Sequence, residues 1–156
     1  MIDTNVSESA QDDVAEAKRV IEQLSGSSFK VFREERKLVI GKKKMLKTSQ
    51  IRKFYTAVNN ITEKLNIYCF KHPGSTELPK SQPNIQDEIK FLTVKLAYQI
   101  GRNEKNDEEN LVKKFEEEAK LFERINKINN IEEYRAFARY VEALVAFHKF
   151  YGGSDN

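Results

Sequence analysis

An all-α fold is what the sequence predicts, on three observations. Apolar residues recur three and four positions apart in five separate stretches, which is the spacing of one helix face. Glycine and proline together number nine in 156 residues, too few for a turn-rich sheet protein. Hydrophobic residues make up 39% and charged residues 33%, the balance of a small folded protein and not of a disordered chain. One domain is expected at this length. The organisation read from the sequence is an acidic N-terminal segment, 1–28, with one candidate helix, followed by a single helical domain, 29–156. That domain includes a basic arm (29–47) and a long loop (66–84).

Taken in order, residues 1–9 read as disordered. Ala10, Val14, Ala17, Ile21 and Leu24 then form a stripe. The stripe is thin and alanine-rich, so this helix is expected to dock weakly or only on a partner. Ser25-Gly26-Ser27-Ser28 ends it. Between 29 and 47 the apolar residues keep neither period, and a mobile or partner-ordered arm is favoured over a hairpin. Thr48 or Ser49 suits the N-cap of the next helix, which lines up Ile51, Phe54, Val58, Ile61 and Leu65. All three prolines fall in 66–84, read as an exposed connection.

Asn84 caps a helix carrying Ile85, Ile89, Leu92, Leu96 and Ile100 on one face. Phe91, Val94, Ala97 and Tyr98 widen its apolar surface, so it is expected to be the most buried helix, ending at Gly101. A charged helix starts at Asp107 with Leu111, Phe115, Phe122 and Ile125 inward, its Glu116–Glu118 run forming a solvated face. Asn130 and Glu133 resemble a capping box. They open a last helix of Ile131, Tyr134, Phe137, Val141, Leu144 and Val145, with His148 next in the stripe and Gly152-Gly153 as the stop.

The net charge of +3 hides a segregation. Residues 1–25 sum to −4, residues 30–53 to +8 and residues 54–156 to −1. A basic block on a near-neutral body is the footprint of a polyanion binder; the alternative is a solvated loop. Lys42, Lys43, Lys44 and Lys47 lead into Arg52 and Lys53 in the first turn of a helix. Cations there oppose the helix dipole by a few tenths of a kcal/mol up to ~1, a cost that a docked anion would offset.

Chemistry-bearing motifs are sparse. Cys69 and His72 have ligand-like spacing but no second pair, so neither a metal nor any other cofactor is expected. No nucleophile elbow and no phosphate-binding glycine loop is present, and the carboxylates lie on charged helix faces. The chain does not read as an enzyme. No platform of exposed aromatics interleaved with basic residues is legible, because Phe and Tyr fall mostly at core spacing. A lone cysteine excludes an intrachain disulfide and fits a reducing compartment. The N-terminus is acidic and polar, unlike a secretory signal. No stretch approaches the roughly 18–20 apolar residues of a membrane span. A cytoplasmic protein without a membrane partner is expected.

Three segments, LKTSQIRKFY (46–55), KLAYQIGR (95–102) and YVEALVAFHKFYGG (140–153), together resemble the small helical subunit of the type III-A CRISPR–Cas effector, the Csm complex. The resemblance implies a compact bundle of about five helices without catalytic activity. It implies copies stacked as a short filament beside other subunits of the complex. It also implies contacts to the target RNA backbone along the guide–target duplex, with guide RNA met indirectly. Arg52, Lys53 and Arg102 match the family's basic positions; Lys42–Lys44, Lys47 and Lys95 are added from local charge and placement. A free-standing helical adaptor for a protein partner is the alternative.

Overall fold

A computed structural model describes residues 12–24, 47–103 and 110–151. Among them the secondary structure is six helices and no strand: α1 (12–24), α2 (Thr48–Lys71), α3 (Ile85–Asn103), α4 (Leu111–Ala119), α5 (Leu121–Asn126) and α6 (Ile131–Phe150). The all-α expectation is met. The expectations for residues 1–9, for most of the basic arm, and for the stops at Ser25–Ser28 and Gly152-Gly153 lie outside the described residues.

α2 is the centre of the packing, set between α3 on one side and α6 on the other. Its stripe of Ile51, Phe54, Val58, Ile61 and Leu65 is buried as the spacing predicts. Phe54 meets Phe137 of α6 edge to face, with ring centroids 6.5 Å apart. Further along, the Tyr134 hydroxyl donates to the Val58 carbonyl at 2.9 Å and lies within hydrogen-bond distance of Thr62 Oγ1, at 2.9 Å. A buried phenol oxygen is thus fully partnered, which burial requires. Each fully buried Leu, Ile or Phe in this core contributes about 1.5–3 kcal/mol of transfer free energy.

Several boundaries differ from the sequence reading. α2 is capped at Lys47, whose amide donates to Gln50 Oε1 at 2.9 Å. Thr48 is instead the buried first residue of the helix. α2 continues to Lys71, so the connection is 72–84, and it is anchored. Leu78 and Pro79 are buried, and the Ile131 amide donates to the Thr76 carbonyl at 3.0 Å. Asn84 caps α3 as expected, its Oδ1 accepting from the Asp87 amide at 3.1 Å. α3 then runs through Gly101, leaving Arg102 within its last turn.

The helix expected from Asp107 begins at Leu111, capped by Asn110, and is two helices. Lys120 breaks it with a left-handed backbone, φ 55°. The break frees the Ala119 carbonyl, which accepts from the buried Tyr140 hydroxyl at 3.1 Å. It also shifts the register, so Leu121 is fully buried and Phe122 only half so. Glu116 is not on a solvated face. Its carboxylate accepts from the Phe122 amide at 3.3 Å, and partial burial raises its pKa against that bond's pull.

α1 is docked, contrary to the expectation of weak or partner-dependent packing. Ala17, Val20 and Ile21 are fully buried. Asp13 pairs with Arg124 at 3.1 Å, and the Arg124 guanidinium lies 3.7 Å above the Tyr140 ring. Val14, assigned to the inward stripe, is 48% exposed instead.

Candidate nucleic-acid interface

α2 and α3 run antiparallel, so the first turns of α2 lie beside the last turns of α3. Gln99 Nε2 donates to the Gln50 carbonyl at 2.7 Å and ties the two ends together. Asn110 Nδ2 donates to the Ile100 carbonyl at 2.8 Å and satisfies one of the open acceptors at the end of α3. The apolar stripes of both helices face the core. Their shoulders therefore form an open groove above it, and helical periodicity decides which side chains stand on those shoulders. Lys53 and Ala57 stand on α2, one turn apart; Lys95, Tyr98 and Arg102 stand on α3, at steps of three and four.

The basic end of this groove has a volume of about 460 Å³, with Phe54 and Ala57 at its floor and Lys47, Lys53, Lys95 and Arg102 on its walls. None of these four cations pairs with a carboxylate among the described residues. Further along, the groove changes character: Asp87 and Glu88 line it, and Glu88 holds Lys64 at 2.6 Å. Positive charge is therefore concentrated where α2 begins and α3 ends. Arg102 in the last turn of α3 also lies at the dipole end that favours a cation.

Of the eight sequence-predicted residues, four meet in this groove. Arg52 is exposed on an adjoining hollow with Ser49, Lys53 and Thr56, so Lys53 borders both surfaces. Lys42, Lys43 and Lys44 lie outside the described residues. Cys69 and His72 engage different neighbours. Arg135 Nη2 approaches Cys69 Sγ at 3.7 Å, and His72 stacks on Tyr68 with centroids 4.4 Å apart. No cluster of three or more metal-ligating side chains occurs among the described residues.

Two residues that sequence reasoning assigned to the core belong to this surface. Tyr98 is 71% exposed and lines the basic end of the groove; Phe91 is 55% exposed at its mixed end. Val94 is exposed as well, so α3 is not the most buried helix. Aromatics interleaved with basic residues are thus present, as Phe91, Lys95, Tyr98 and Arg102 on one stripe. The signal was in the sequence. Ile85, Ile89, Leu92, Leu96 and Ile100 already complete a core face, and the further apolar residues exceed what one face can bury.

A family model described as Csm2 Type III-A matches residues 30–154. The chain belongs to the Csm2 family. Two relatives carry the name CRISPR system Cms protein Csm2. The one from Streptococcus thermophilus is 32% identical over 111 residues, covering 71% of this chain and 77% of that protein. The one from Enterococcus italicus is 33% identical over 101 residues, covering 63% of this chain and 67% of that protein. As a Csm2 chain this is the small subunit of the type III-A CRISPR effector complex, and other Csm subunits are its partners. The matched span contains all eight candidate basic residues, whereas α1 precedes it. Among the described residues no helix is long and apolar enough to cross a membrane.

Proposed function

We propose that this subunit is a non-catalytic wall of the effector complex, whose α2–α3 groove contacts the backbone of target RNA along the guide–target duplex. Copies stack side by side, so that weak contacts at each subunit add along the strand. The observation that carries the reading is the convergence of Lys47, Lys53, Lys95 and Arg102 on one open groove, with no acidic partner for them among the described residues. Such a site needs no base-edge chemistry, because phosphate contacts position a strand without reading it. Arg102 supplies a planar fork for phosphate oxygens, and the lysines supply point charges.

Binding of the full chain to a labelled single-stranded RNA across a salt series tests the reading. For single strands the slope of log affinity against log salt is about −0.7 per phosphate neutralised. A Lys53→Ala/Lys95→Ala/Arg102→Ala variant should fold as wild type and lose about two units of that slope. An unchanged slope removes the groove from the RNA path. A partner complex that forms equally well after RNase treatment and in the triple variant would favour the adaptor reading.

A further inference from the structure

Tyr98 is the side chain in this groove that phosphate binding alone does not explain. Its ring is 71% exposed on a helix with a complete core face of its own. Among the described residues it stacks on no other aromatic ring, and its hydroxyl makes no hydrogen bond. It stands three residues after Lys95 and four before Arg102, so the two cations bracket it along the helix across about 10 Å. Lys53 and Lys47 face it from the start of α2. The floor beneath is apolar, made by Phe54 and Ala57, and the volume of about 460 Å³ falls within the range of small-ligand pockets.

We propose that Tyr98 is a stacking platform for an unpaired nucleobase, and that the groove binds RNA better where a base is free than where it is paired. The proposal rests on the RNA-contacting reading above and adds the form of the strand that the site selects. A bare cationic groove accepts any polyanion. An aromatic face between cations accepts a base whose flanking phosphates reach those cations, and it does so for any base, since every base has a π-face. In a continuous duplex the faces are taken up by neighbouring pairs and Tyr98 gains nothing. Phe91 is a poorer platform despite its exposure, because Asp87 and Glu88 share its part of the groove and repel phosphate.

The test compares three ligands built on a strand of one length with the full chain at low salt: a single-stranded RNA, the same strand paired with its complement (twice the phosphates), and an abasic strand. Wild type is expected to prefer the single strand. Tyr98→Ala should lower single-strand affinity about 5- to 150-fold, the range for loss of one stacked base. It should leave duplex and abasic binding and the salt slope unchanged, and melt with wild type. Tyr98→Phe keeps the ring and should bind as wild type. Equal single-strand binding by wild type and Tyr98→Ala, with a salt slope still present, overturns the stacking proposal alone. An equal loss by Tyr98→Ala on all three ligands also overturns it, since stacking cannot act on an abasic strand. Absence of RNA binding to wild type overturns this proposal and the backbone-contact reading together.

Discussion

Tyr134 and Tyr140 are both fully buried, and burial pushes each phenol up to about 12. In the unfolded chain a phenol ionises near 10. Between those values the unfolded chain releases protons that the folded one keeps, so stability falls as pH rises from about 10 through 12 and is insensitive to these groups below 10. The loss approaches roughly 2–3 kcal/mol per ring once the pH has passed 12. Urea midpoints taken at pH 8, 10, 11 and 12 should show this decline. A Tyr134→Phe/Tyr140→Phe variant should start lower at pH 8, by about 1 kcal/mol for each lost hydroxyl contact, and decline less steeply above pH 10. Parallel curves would mean that the two hydroxyls do not set the alkaline limit. Periodicity placed Tyr134 in the core. Tyr140 was less visible, because its role depends on the Ala119 carbonyl that only the break at Lys120 releases.

At the scale of the element, the periodic stripes of α2 and α6 were legible because each helix has one apolar face and one core to bury it in. The caps at Asn84 and Asn130 were legible for a local reason, a side chain returning to the first turn. What was not legible depended on neighbours. Glycine normally marks a helix end, yet Gly101 is helical because two groups outside α3 fasten its last turns: Asn110 donates to the Ile100 carbonyl and the Gln50 carbonyl accepts from Gln99. A methyl group added there would meet nothing within 4 Å. Gly101→Ala should therefore stabilise the protein by about 0.5–1 kcal/mol, the propensity difference within a helix, as a rise in melting temperature. A loss of stability would mean that the α3 end needs glycine after all. The same dependence on neighbours hid the groove. Lys47, Lys53 and Lys95 could be named from charge and placement and Arg102 from the family resemblance, but their convergence required the antiparallel seating of α2 on α3, which no local spacing encodes.

At the scale of the molecule, core residues and groove-lining residues are separated by which side of a helix they occupy. α1 extends that division beyond the span matched by the family, since it contributes Ala17, Val20 and Ile21 to the core and no side chain to the groove. It is held by more than apolar contact: Arg124 reaches Asp13, and the Tyr151 hydroxyl donates to Glu22 Oε1 at 2.6 Å. The thin stripe that suggested weak docking understated this, because Val20 joins it from outside the 4, 3, 4, 3 spacing and the ion pair is non-local. Ile21→Ala should cost ~2–5 kcal/mol, as other truncations of a fully buried aliphatic side chain do, read as a lower urea midpoint with an unchanged slope. At a urea-free temperature where the variant is still folded, its RNA affinity and salt slope should match wild type. A near-neutral midpoint would detach α1 from the core. A midpoint drop together with a lost salt slope would mean that α1 positions the groove as well as covering the bundle.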